Sequence, residues 1–311
     1  MVRHDGLFWR RFANLGCVHA PEWFKTYSPP WFGTAIFALV GRNRAGATEN
    51  MHRILGTDSS LRAHLAALRM FQEFSRCFSE TLENYGPQPP PVRIDQPKDD
   101  VLATSLRDGL GAILVTAHFG NWDIAAKALS QYGRTVNAVM GREANATSRD
   151  FLRAAREHSG LRVIYSDSSA FSAFNMLHAL RRNEVVAIQL DRNGTTEATR
   201  LVPFFGAPAP FALGPFALAR LAQAPIIPVF VPRLGRRHYA IRLGSCFRVP
   251  RHARDDGIEA VMRGVVGEFE QMVREFPSQW FQFAPFWPEL AAEPAVERET
   301  DEEVLDVRVG A

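Results

Sequence analysis

The chain has 311 residues, of which 46% are hydrophobic and 11% aromatic, with a formal charge of +3. This length and apolar content suit one large α/β domain, or such a domain with an attached helical segment. Three scattered cysteines, Cys17, Cys77 and Cys246, exclude a disulfide framework and indicate a reducing compartment. The net charge conceals a division. Residues 289–311 carry eight acids against two arginines, a net of −6, which leaves +9 on the first 288 residues. That surplus suits an anionic partner such as a membrane surface or a phosphorylated substrate.

The first 86 residues read as helical. The apolar run Trp31–Val40 spans about ten residues, where a membrane-crossing helix needs roughly 20, and no signal peptide precedes it. Trp23, Phe24, Tyr27, Trp31, Phe32 and Phe37 crowd this region, and Arg42 and Arg44 follow it. Aromatic residues beside short apolar helices with flanking arginines fit a membrane interface. Asp58 or Ser59 can cap a long helix with an apolar stripe at Leu61, Leu65, Leu68, Phe71, Phe74, Phe78 and Leu82, ending at Gly86. Pro87 to Pro91, with Pro97 soon after, form a stiff connector.

From about residue 99 the pattern alternates. Strands are predicted at 112–117, 135–140, 162–165, 185–190, 226–231 and 238–243, and helices at 122–132, 147–158, 169–182, 213–223 and 257–275. Such alternation predicts an α/β fold with a mainly parallel central sheet flanked by helices. The division expected is a helical segment over 1–86, an α/β domain over 99–288, and an acidic disordered tail over 289–311. Pro203 to Pro208 is predicted to be a constrained loop carrying two exposed rings.

The most informative stretch is Ala112-Ile-Leu-Val-Thr-Ala-His-Phe-Gly-Asn-Trp-Asp123. A buried strand delivers His118 into a turn at Phe119-Gly120, and a helix starts near Asn121. On one continuous helix His118 and Asp123 would lie about 140° apart and could not meet. A strand end, a glycine turn and a first helical turn can bring them together. Asp123 would then hold one imidazole nitrogen and leave the other to take a proton. Backbone N–H groups near Gly120 and Asn121 would favour developing negative charge, as an oxyanion site does. Asp191 and Arg192 end another strand on the same edge. There the acid can tune the imidazole further, and the arginine can grip a phosphate or carboxylate. There is no P-loop, no GxGxxG and no clustered set of metal ligands, and nothing beyond net charge favours a nucleic-acid partner.

With these pieces in order, the chain resembles the bacterial lipid A biosynthesis acyltransferases and their phosphatidylinositol mannoside acyltransferase relatives. The resemblance rests on Thr116-Ala-His-Phe-Gly-Asn-Trp-Asp123, Gln189-Leu-Asp-Arg192, Val202-Pro-Phe-Phe-Gly206 with Pro208, Leu218-Ala-Arg220, Ala224-Pro-Ile-Ile-Pro228 and Pro277-Ser-Gln-Trp-Phe281. It implies a glycerolipid acyltransferase-like fold, peripheral or monotopic on the cytoplasmic face of the inner membrane. It also implies His118 as base and Asp123 as the acid orienting it. Arg142 matches a position where relatives carry a basic residue near the substrate, Asp191 and Arg192 fall in the family's second polar block, and the resemblance implies substrate binding by all three. The expected reaction moves an acyl group from an acyl carrier protein or coenzyme A thioester to a hydroxyl of a glycolipid such as a lipid A precursor. No resident cofactor or metal is expected. An aspartate at 123 is more usual in the mannoside relatives, which makes a mannosylated phosphoinositide an alternative acceptor. A lipid-binding member without activity and a thioesterase are the other readings.

Overall fold

The computed structural model describes residues 20–86, 88–97, 100–129, 132–141, 161–166, 170–191 and 198–288. Four helices open the described chain: α1 (Glu22–Tyr27), α2 (Pro29–Leu39), α3 (Gly41–Leu55) and α4 (Ser60–Asn84). Ser59 caps α4, accepting the Arg62 N–H at 3.4 Å. The stripe that α4 buries is Ala63, Ala67, Met70, Phe71 and Leu82. Leu61 and Leu65, assigned to the core by the leucine spacing, face outward instead. Alanines let α2 and α3 approach closely, and a Cβ on Gly33 of α2 would come within 2.6 Å of the Phe71 carbonyl on α4.

Beyond the proline connector come β1 (Arg93–Asp95), α5 (Val101–Leu106), β2 (Ala112–Thr116), α6 (Trp122–Leu129), β3 (Val136–Gly141) and β4 (Leu161–Ser166). Then follow α7 (Ala170–Arg181), β5 (Val185–Gln189), β6 (Thr199–Phe204), β7 (Ala207–Ala212), α8 (Gly214–Ala222) and β8 (Ile226–Phe230). Short strands β9 (Arg233–Gly235), β10 (His238–Ala240) and β11 (Arg242–Leu243) lead into the long helix α9 (Asp255–Glu275). The helix predicted at 147–158 and the acidic tail lie outside the described residues.

The main sheet runs β11-β8-β2-β5-β3-β4. Its pairs are parallel except at the β11 edge, with Thr116 beside Gln189 and Val115 beside Pro228. β2 and β8 are buried almost throughout, as strands covered on both faces must be. Ile113, Val115, Val186 and Ile226 join the core formed with α7, α8 and α9, while Ala112, Leu114, Val185 and Ile227 pack toward α5 and α6.

The segment expected as a loop at 203–208 is the tip of a hairpin, with Pro203 opposite Pro208. Prolines are tolerated because each strand of a two-stranded ribbon is an edge. Phe205 and Gly206 both have positive φ, the conformation of a tight two-residue hairpin turn. Both rings of the Phe204-Phe205 pair are buried, and the Phe205 N–H donates to Glu270 at 2.6 Å. Phe204 lies stacked on Phe269 and edge-on to Trp280, within an aromatic cluster that also holds Phe286 and Trp287.

Candidate active site

His118 stands just past the C-terminal end of β2, the edge where parallel α/β sheets place their sites. The turn that carries it is clamped from several sides. Leu190 donates to the Thr116 carbonyl at 2.8 Å, Phe281 to the His118 carbonyl at 2.7 Å, and Gly120 to the Gln279 carbonyl at 2.9 Å. Gly120 has φ +58°, and a Cβ there would stand 2.0 Å from the Val231 oxygen, so only glycine fits. Phe119, fully buried, packs edge-on to Phe230.

The His118 side chain is 42% exposed, open enough to meet a substrate, while its partner Asp191 is buried. Asp191 Oδ1 lies 3.0 Å from His118 Nδ1, and Oδ2 accepts the His118 backbone N–H at 2.9 Å. Trp280 Nε1 donates to the same Oδ2 at 2.8 Å. Burial alone would push the Asp191 carboxyl up. The neighbouring imidazole charge, the His118 ring, the Trp280 N–H and the His118 backbone N–H together outweigh it and hold the acid below the usual carboxylate range. An ionised Asp191 at Nδ1 fixes the tautomer and makes Nε2 the nitrogen that takes a proton.

Asp123 occupies the first turn of α6, half-buried, where a negative charge is favoured by the helix dipole. Asn121 caps that helix. Its Oδ1 accepts from the Ile124 N–H at 3.4 Å and from the Thr81 hydroxyl at 3.0 Å. The oxyanion role expected for the backbone of Gly120 and Asn121 needs correction. The Gly120 N–H is committed to Gln279, and the Asn121 N–H donates to the Val231 carbonyl at 3.0 Å. These two residues hold the turn, and their N–H groups are already used. Arg142 and Arg192 lie outside the described residues.

The role of Trp280 is not apparent from the sequence alone. An indole N–H seeks a partner when buried, so a tryptophan inside the Pro277-Ser-Gln-Trp-Phe281 turn was the available signal. An apolar cavity of about 550 Å³ opens between α7 and α8 over the ends of β3 and β5. Val139, Met140, Leu177, Ile188 and Leu218 line it. Of its lining residues, Ile188 and Gln189 of β5 pair with Val115 and Thr116 of β2, the strand that leads to His118. Among the described residues no group of three or more metal-ligating side chains is present.

A partly exposed imidazole backed by a buried carboxylate has the parts a general base needs, and the same α/β sheet carries an apolar cavity on the neighbouring strand. The profile of the bacterial lipid A biosynthesis acyltransferases matches residues 23–288, and the chain belongs to that family. A phosphatidylinositol mannoside acyltransferase of Mycobacterium tuberculosis is 29% identical over 191 residues, covering 60% of this chain and 58% of that protein. Its counterpart in Mycolicibacterium smegmatis is 26% identical over 249 residues, covering 76% and 77%. The chain thus spans less than two thirds of the tuberculosis relative's length.

Proposed function

We propose that the protein is an O-acyltransferase that moves a fatty acyl group from a carrier-protein or coenzyme A thioester to a hydroxyl of a membrane phosphoglycolipid. The observation that carries this reading is the His118–Asp191–Trp280 arrangement, a base held in one tautomer, with an apolar cavity lined by residues of the neighbouring strand β5. His118 Nε2 takes the proton of the acceptor hydroxyl as its oxygen attacks the thioester carbon. The C–S bond then breaks, and the imidazolium returns the proton to the departing thiolate. Asp191 stabilises the imidazolium, and Asp123 serves as the second carboxylate of the turn, on the α6 side. A thioester is already activated, so the chemistry asks for no serine or cysteine nucleophile. Arg142 and Arg192 are assigned to anionic groups of the substrates.

The cavity between α7 and α8 suits the acyl chain. The relatives' names favour a mannosylated phosphoinositide-like acceptor, while the family name favours a lipid A precursor. α1 and α2 carry exposed Trp23, Tyr27, Trp31, Phe32 and Leu39, and among the described residues no helix is long and apolar enough to cross a membrane. This supports interfacial seating through these helices, on the cytoplasmic side where acyl thioesters are available.

The test is incubation with labelled acyl thioester, with and without glycolipid vesicles. Labelled acyl-lipid supports the transferase. Free fatty acid alone would identify a thioesterase, and neither product a binding protein.

A further inference from the structure

Behind the turn that carries His118 lies a buried polar cluster to which the chemistry assigns no part. Its centre is Glu80 of α4, 4% exposed. Glu80 Oε1 accepts from Arg233 Nε at 2.9 Å, and Oε2 accepts from the Arg237 backbone N–H at 3.0 Å and from the Tyr239 hydroxyl. Two arms run from this carboxylate to the turn. Along the first, the Tyr239 oxygen accepts from Asn121 Nδ2 at 3.2 Å, and the same amide nitrogen donates to the Cys77 carbonyl at 3.1 Å. Along the second, Arg233 is locked to Gln279 in both directions. Its backbone N–H donates to Gln279 Oε1 at 2.7 Å, and Gln279 Nε2 returns a bond to its carbonyl at 2.8 Å. The Gln279 carbonyl then accepts the Gly120 N–H at 2.9 Å. One carboxylate therefore reaches both residues that follow His118 and Phe119.

Burying a glutamate–arginine pair is weak support for stability, because the desolvation penalty can exceed the Coulombic gain. Conformational specificity is the better account of why such a cluster is kept at this place. Tyr239 is fully buried, and its surroundings hold the phenol protonated, chiefly through burial and then through the neighbouring Cys77 and Glu80. It thus stays a donor to Glu80.

We propose that Glu80 and Tyr239 are positioning residues for the transfer reaction, fixing the Gly120-Asn121 turn so that His118 meets the substrate in productive register. This rests on His118 acting as the base. Neither residue touches the reacting atoms in this scheme. Removing the Tyr239 hydroxyl cuts the first arm while the second still holds.

The experiment compares Tyr239→Phe, Glu80→Ala and Glu80→Gln in the full chain. Tyr239→Phe is expected to lower kcat about tenfold, as a sub-ångström misplacement of a catalytic group does. KM for the acyl thioester should stay within about twofold, because the cavity is untouched. Glu80→Ala should lose more, and Glu80→Gln, whose amide oxygen still accepts from Tyr239 and the Arg237 N–H while its NH2 gives up Arg233, should recover part of that loss. A purely structural role would lower the melting temperature without this split or rescue. Wild-type kcat in Tyr239→Phe would overturn the proposal whatever its melting temperature, and so would equal impairment in the two Glu80 variants. If Glu80→Ala does not fold, Tyr239→Phe decides alone.

A reading without substrate separates this idea from the base assignment. The His118 ring resonances, assigned by comparison with His118→Ala, should shift in Tyr239→Phe. Unshifted resonances would overturn the positioning role. A His118→Ala protein that keeps turnover would instead defeat the base assignment.

Discussion

At the scale of single residues, the site is a histidine whose orientation depends on groups far away in the chain. His118→Ala should reduce transfer by about 10²–10⁴ and also lower the melting temperature, since the buried Asp191 loses its ring partner. Asp191→Asn is expected to cost a similar factor of roughly 10²–10⁴, because an amide cannot stabilise the imidazolium and can present the wrong hydrogen-bonding group to Nδ1. Adding Asp123→Asn to it should cost less than the product of the single losses, the result expected of two acids proposed to serve one ring. Steady-state rates for the three variants check this. Trp280→Phe keeps the ring within its aromatic cluster but removes the N–H that Asp191 accepts. A drop in stability of about 1–3 kcal/mol is expected in denaturant melts, the usual cost of leaving a buried acceptor short of a donor. His118 and its glycine turn were legible in the sequence because a strand, a turn and a helix start within a dozen residues. Asp191 was visible only as a candidate, and the principal role went to Asp123. The bond that joins Asp191 to the ring spans 73 residues, a distance that no local pattern encodes.

At the scale of elements, spacing served well where burial was two-sided and poorly elsewhere. The strands of the main sheet stand out as apolar runs. The stripe on α4 was misjudged because close helix packing selects alanine, so Ala63 and Ala67 are buried while Leu61 and Leu65 point away from the protein. The hairpin β6–β7 was hidden by its prolines, which ordinarily argue against a strand. These elements make a distinct prediction for specificity. Ala217 of α8 lines the apolar cavity. Ala217→Phe should shorten the acyl chain the enzyme prefers, read as a change in relative kcat/KM across thioesters of increasing length. An unchanged preference would remove the cavity from the acyl path.

At the scale of the whole molecule, two carboxylates held at low pKa make stability depend on pH. Glu22 on α1 is drawn down to about 2 by hydrogen bonds from Lys25, Arg237 and Arg236, and Asp191 is likewise held low. Both contributions are fully present above the unfolded values of about 4 and are lost as pH falls through the depressed folded values. Stability should therefore rise with pH between about 2 and 5. Asp191→Asn should flatten part of that slope in melts taken across the range. For the membrane, Trp31→Ser should weaken partition into anionic vesicles, because the indole is 75% exposed on α2. Sedimentation with vesicles measures it, and unchanged partition would disqualify this helix as the anchor.

The clamp on the His118 turn has a consequence for biosynthesis. Its fasteners arrive late: Val231 from the end of the sheet, then Gln279, Trp280 and Phe281 from beyond the last long helix. A ribosome-bound fragment lacking them would carry the motif and Asp191 yet miss the bonds from Gln279, Trp280 and Phe281, so its turn would be held on fewer sides. The imidazole is fully set in place only once residues 279–281 have docked, so the assembly of this turn waits for the segment that follows α9.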